Sequence, residues 1–148
     1  MSVVKSKRTD KAEICYLACE LEYKVVKMTM NEKYYPKRAR YIVTNKILDA
    51  VMNVSENFVA ANSIFPNAEW KLEIREQYQT IGKANLTILE HQLNLSKRLF
   101  NIPASVLEEV YSYIIEINKM YSNWVKSGRK ILNREIEKKN KKIETEDR

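Results

Sequence analysis

Apolar residues recur along this chain at steps of three and four, the spacing that lines one face of an α-helix. Ile14, Leu17, Leu21, Val25 and Met28 mark the first such run and predict a helix over about 10–30. Asp10 and Glu13 have capping-box spacing at its start, and Asn31 with Tyr34-Tyr35-Pro36 ends it. A second helix is predicted over about 36–63, with Pro36 in its first turn. Its Ile47, Val51, Val54, Phe58 and Ala61 alternate steps of four and three, a heptad seam. Phe65-Pro66-Asn67 breaks the chain and places Asn67 to cap a third helix, over about 67–99. That helix carries two adjacent stripes: Leu86, Leu89, Leu93 and Phe100, and Ile81, Ile88, Leu95 and Leu99. Two stripes predict burial on a broad face, as in a bundle interior. Gly82 lies inside this helix, where glycine costs about 1 kcal/mol relative to alanine. Close helix packing or a kink would account for it.

Asn101-Ile102-Pro103 makes the last turn, and Ser105 with Glu108 has capping-box spacing. Leu107, Val110, Ile114, Ile117, Tyr121, Trp124, Gly128 and Ile131 then form the most regular heptad in the chain. Residues 128–148 change character, with eight basic and five acidic side chains and apolar residues at Ile131, Leu132, Ile136 and Ile143. The predicted fold is all-α. It is an antiparallel up-down-up-down four-helix bundle over 1–127, with a helical or frayed basic C-terminal extension over 128–148. Only two glycines and three prolines occur in 148 residues, too few for the many turns of a β-sandwich or a doubly wound fold.

Charge changes the picture next. Twenty-six Lys and Arg against 19 Asp and Glu give +7, which favours polyanionic partners, nucleic acid before anionic membrane. The alternative is a basic surface that serves solubility alone. Cys15 and Cys19 lack the spacing of a disulfide scaffold and read as small apolar core residues in a reducing compartment. No apolar signal core follows the first residues, and no window is apolar enough to span a membrane; the expectation is a cytoplasmic protein.

Catalytic material is sparse, and the chain reads as a non-enzyme. His91 is the single histidine and fits a half-exposed helical position. With Cys15 and Cys19 it makes three potential zinc ligands where a structural site wants four, and no Glu-x-x-His pair suggests a di-iron centre. No glycine-rich phosphate loop occurs, so neither metal nor cofactor is expected. Three basic features remain. Lys37, Arg38 and Arg40 sit among Tyr34, Tyr35 and Tyr41 at a helix start, which suits phosphate contact with stacking. A solvated first turn with its tyrosines folded onto the bundle is the alternative. Lys97 and Arg98 end the third helix, where bases also complement the helix dipole, and Arg75, Lys83 and Lys46 extend the basic set along the bundle. Lys138, Lys139, Lys141 and Lys142 form a patch without an acid, suited to binding polyanions without reading sequence.

The stretch Tyr35-Pro36-Lys37-Arg38-Ala39-Arg40-Tyr41, then Ile47 and an apolar helix ending near Ala60-Ala61-Asn62, resembles the second helix of a known group. Lys83-Ala84-Asn85-Leu86, the Leu89-to-Leu99 stripe, and Met120 through Trp124-Val125-Lys126-Ser127 resemble other parts of it. The group is the four-helix-bundle superfamily of the accessory variability determinant proteins of diversity-generating retroelements, with the ribosomal-S23-like proteins as relatives. The resemblance spans about residues 10–127, and the lysine-rich tail lies outside it. It implies a homopentameric, non-catalytic accessory subunit. Such a subunit binds RNA or complementary DNA through a basic surface and associates with a reverse transcriptase during mutagenic copying. Two rivals stay open: an S23-like RNA-associated bundle without a polymerase, and a helical protein–protein adaptor.

Overall fold

The computed structural model describes residues 10–147, with side chains from Glu13 onward, and every regular element in that range is helical. Four long helices account for most of it: α1 (Asp10–Thr29), α2 (Asn45–Asn62), α3 (Glu69–Phe100) and α4 (Ala104–Glu146). The cap expected from the Asp10 side chain falls outside the described residues. Between α1 and α2 the chain makes a tight 3-10 turn, Lys37–Ala39, and then a wide π-turn, Arg40–Thr44, closed by the Asn45 N–H donating to the Arg40 carbonyl.

The heptad of α2 is the inner face of that helix: Ile47, Val51, Val54, Phe58 and Ala61 are all buried. They meet Ile14, Ala18, Leu21 and Val25 of α1, and Leu86, Leu89 and Leu93 of α3. α1 packs on α2 and α4, and α3 packs on the same two helices. Phe58 lies at the centre, edge-on to Trp124 at 4.9 Å and stacked with Tyr121 at 6.1 Å. Gly82 presses against this ring, since a Cβ there would stand 2.4 Å from Phe58 Cε1. Close packing therefore accounts for the glycine, and α3 runs unbroken through it.

Three local expectations are corrected. α3 starts at Glu69 and α4 at Ala104, neither with a side-chain cap, so Asn67 and Ser105 do not cap them. Asn67 bends back locally instead, its N–H bonding the Phe65 carbonyl at 2.9 Å. The second stripe of α3 is not core: Ile81, Ile88, Leu95 and Leu99 are exposed. At the far end of α4 the buried line passes from Gly128 to Leu132 and leaves Ile131 half-buried. A straight helix drifts about 20° per heptad against a 3.5-residue repeat, so by the fourth heptad the next inward position is i+4. Asn101 does end α3 as its turn chemistry suggests, in the left-handed region at φ 51°, with its N–H on the Lys97 carbonyl.

α4 continues without a break through 127 and 128 to Glu146. Its residues after Leu132 are almost all exposed, Glu135 alone being half-buried. No helix among the described residues is long and apolar enough to cross a membrane.

Cys15 is buried as expected, with its thiol on the Phe58 carbonyl at 3.4 Å, but Cys19 is not a core residue: one turn on, it falls off the buried line of α1 and is exposed. Burial pushes the Cys15 thiol up to about 11 from 9.0, with the neighbouring Cys19 adding to the rise and Arg75 opposing it. A raised folded-state value stabilises the protein fully below pH 9.0, and that contribution is lost as pH rises through about 11. Melting temperature is expected to fall between pH 9 and 11, and to fall less in Cys15→Ala. Equal falls in both proteins would assign the alkaline loss to other groups, such as the buried Tyr35 hydroxyl, which burial also pushes up.

Candidate nucleic-acid interface

The segment that carries the first basic motif is tied to the end of α3 through one side chain, Tyr35. Tyr35 is buried, its hydroxyl 2.9 Å from Ser96 Oγ and its ring edge-on to Phe100 at 6.1 Å. Ser96 has no other polar neighbour for its hydroxyl than Tyr35 and the Leu93 carbonyl, at 2.8 Å, among the described residues. Lys37 stands two residues on from Tyr35, and Lys97 follows Ser96 directly. Arg38, Arg40, Lys46, Lys97 and Arg98 are exposed and form no ion pair among the described residues. Lys37 alone has an acid nearby, Glu32 at 3.6 Å, an exposed pair that contributes little.

The tyrosines divide between the two roles weighed for them. Tyr35 folds into the core and Tyr34 is half-buried, with the Lys33 ammonium 5.5 Å from its ring centroid. Tyr41 is 85% exposed beside exposed Ile42, so it alone presents an open face on which a base could stack. Both project from the π-turn that carries Arg40. Beneath this segment lies a cavity of about 330 Å³ lined by Thr29, Met30, Glu32, Arg40, Thr44 and Leu48. Thr44 is buried there and its hydroxyl has no hydrogen-bond partner.

The remaining sequence candidates lie elsewhere. Lys83 sits midway along α3, bonded to Asn118 of α4 and 5.6 Å from the Tyr121 ring centroid, so it ties two helices together. Arg75 is not on the surface at all. It is 2% exposed, packed along the Trp124 ring and beside Gly128, with Nη1 donating to the Ile64 carbonyl at 3.1 Å. Its place on the core line of α3, three residues after Leu72 and seven before Gly82, carries it inward. The only sequence signal for this is spacing, since stepping back from Leu86 by heptad steps reaches Gly82, Gln79, Arg75 and Leu72, all buried, although their residue types read as surface.

Lys138, Lys139, Lys141 and Lys142 are exposed near the end of α4, and among the described residues only Lys138 of the four forms an ion pair, with Glu135 at 3.6 Å. Val106, at the start of α4, lines a pocket with Asn31 and Tyr34, while Arg129 grips Glu69 at the start of α3 through two bonds of 3.0 and 3.1 Å. The tail lysines therefore lie about 50 Å along α4 from the Lys37–Arg40 end. A single duplex would need about 15 base pairs to reach both. The tail lysines are therefore well separated from the Lys37–Arg40 segment.

His91 is exposed on α3, and among the described residues no three His, Cys, Asp or Glu side chains gather as a metal site requires. Comparison with protein-family models, with curated proteins and with solved structures finds no match to this chain.

Proposed function

We propose that this protein is a non-catalytic nucleic-acid-binding subunit, built as an antiparallel up-down-up-down four-helix bundle. In this reading it grips phosphates through Lys37, Arg38 and Arg40, with Lys97 and Arg98. The observation that carries it is the docking of Tyr35 on Ser96 and Phe100, which ties the segment bearing Lys37, Arg38 and Arg40 to the end of α3; of these three cations and Lys97 and Arg98, only Lys37 has an ion-pair partner among the described residues. Support for the antiparallel arrangement comes from paired contacts: Asn94 with Tyr111, Lys83 with Asn118, and Glu69 with Arg129. As numbers fall along α3 they rise along α4. The resemblance extends the proposal to a role beside a reverse transcriptase, holding RNA or complementary DNA. A protein–protein adaptor is the second reading, favoured by the exposed Ile81, Ile88, Leu95 and Leu99.

The test is fluorescence anisotropy of a labelled structured RNA at several salt concentrations. The proteins compared are the wild type, Lys37→Ala/Arg38→Ala/Arg40→Ala, and a variant with Gln at 138, 139, 141 and 142. Substitution is preferable to truncation at 127, because Gly128 and Leu132 belong to the packed part of α4. The first variant is expected to bind at least tenfold more weakly and to lose about 2 from the salt slope, as three single-strand phosphate contacts would require. A larger loss in the tail variant would move the site to the other end. No binding by the wild type at low salt would remove the nucleic-acid reading and leave the adaptor.

A further inference from the structure

The cavity under the segment from Lys37 to Thr44 offers chemistry that phosphate contact leaves unused. At about 330 Å³ it falls at the lower end of small-ligand pockets, which run from about 300 to 1,000 Å³. Much of its lining is apolar: Val26 and Met30 of α1, Leu48 of α2, and the flat side chains of Tyr35 and Pro36. Tyr35 is a fixed wall, because Ser96 and Phe100 hold it. Thr44 also lines the cavity, is 7% exposed, and keeps a hydroxyl without a hydrogen-bond partner. A buried hydroxyl left unpaired costs free energy, and one at a cavity wall marks a place for a ligand's polar atom.

Charge narrows the ligand. Arg40 and Glu32 both line the cavity, one of each sign. Arg40 forms no ion pair among the described residues, while Glu32 lies 3.6 Å from Lys37. A bare anion gains from Arg40 and loses to Glu32. The ligand that fits has a flat body, an anionic group at one end and hydrogen-bond donors at the other. A nucleotide has that form. Its base suits Tyr35 and Pro36, its phosphate Arg40 and an amino edge Glu32, while Asn45 and Thr44 can donate or accept. A small zwitterion would also satisfy both charges, but it would leave the adjoining groups idle. Lys37 and Arg38, just before Arg40 in the chain, are exposed cations, and Tyr41, which follows it, is 85% exposed. Cations and an open ring suit the neighbouring units of a strand.

We propose, resting on the phosphate grip of Lys37, Arg38 and Arg40, that this cavity takes one nucleotide, with its base unstacked from the strand. A free mononucleotide carries the same chemistry, and the test separates the two sources.

A labelled single-stranded RNA is titrated by anisotropy, and adenosine and cytidine monophosphates and ribose 5-phosphate by calorimetry. Two variants run beside the wild type: Leu48→Trp, which fills the cavity, and Thr44→Val, which removes the hydroxyl at nearly constant volume. Leu48→Trp is expected to weaken strand binding about tenfold, the loss of one stacked base. Thr44→Val is expected to weaken it about fivefold, the loss of one hydrogen bond, without a fall in melting temperature. Neither should change the salt slope, because no phosphate contact is removed. The wild type should bind the monophosphates but not ribose 5-phosphate at the same concentration. If both variants bind strand and monophosphates as tightly as the wild type, the pocket is overturned and the phosphate grip stands. If the wild type binds monophosphates but no strand, and Leu48→Trp abolishes that binding, the grip fails and the cavity is a site for free nucleotides. Binding of neither overturns both. A changed salt slope in Leu48→Trp would mean that the basic segment itself has moved, and Thr44→Val then decides.

Discussion

Replacing Gly82 by alanine is expected to destabilise the protein by about 2 kcal/mol, the reverse of what helix propensity alone would give. Propensity favours alanine by about 1 kcal/mol in a helix interior. Against that, the new Cβ would stand 2.4 and 2.5 Å from Phe58 Cε1 and Cδ1. A ring held by Trp124 on one side and Tyr121 on another has little room to retreat. Overpacking of a well-filled core costs about 1–3 kcal/mol and sometimes more, so the clash wins. Thermal unfolding should show a fall of about 4–8 °C for a chain of this size. Gly128 supplies the control: its Cβ would meet a terminal methyl of Leu72 at 2.9 Å, which can rotate away. Gly128→Ala should stay within about 1 kcal/mol of wild type. In a Phe58→Leu background the penalty at Gly82 should largely vanish. Additive losses would show that the ring is not the cause.

Arg75→Met is expected to raise stability by about 1–3 kcal/mol. The guanidinium is buried and stays cationic at neutral pH, although burial lowers its pKa. Among the described residues its Nε and Nη2 have no hydrogen-bond partner, and both polar atoms of Gln79, one turn on, and the indole N–H of Trp124 are likewise unpartnered. No carboxylate forms an ion pair with it among the described residues. Desolvating a charge without pairing it is costly, and apolar replacements of buried ionic groups are often stabilising by about 1–4 kcal/mol. Methionine keeps most of the volume beside Trp124 and Gly128, so little cavity opens. Urea denaturation of the two proteins decides it through the midpoint. A loss of stability in Arg75→Met would show that the guanidinium has an anionic partner in solution.

The inner faces of α2 and of most of α4 were legible because every member of their heptads is apolar or aromatic, apart from Gly128. α3 was harder for a physical reason. The first half of its buried line is Leu72, Arg75, Gln79 and Gly82, which reads as surface, while the line beside it is rich in isoleucine and leucine. Periodicity locates a stripe but does not say which body covers it, so the second stripe was assigned to the interior. The basic end was legible in part. Charge and aromatics marked 34–41, but nothing local reveals that Tyr35 reaches 61 residues along the chain to Ser96. The separation of the tail lysines from that end follows from the unbroken length of α4, which composition alone does not specify.

The wide turn at Arg40–Thr44 uncouples the phase of the basic segment from the phase of α2. A π-turn holds one residue more than an α-turn, so deleting exposed Ile42 would let the backbone close as ordinary helix. Everything upstream would then rotate by about 100° about the axis of α2, while Ile47 to Ala61 kept their places. Tyr35 would swing away from Ser96, and the bond that ties the basic segment to the end of α3 would be lost. One surplus residue thus works as an indexing tooth: it sets the angle at which this end of the molecule faces its surroundings.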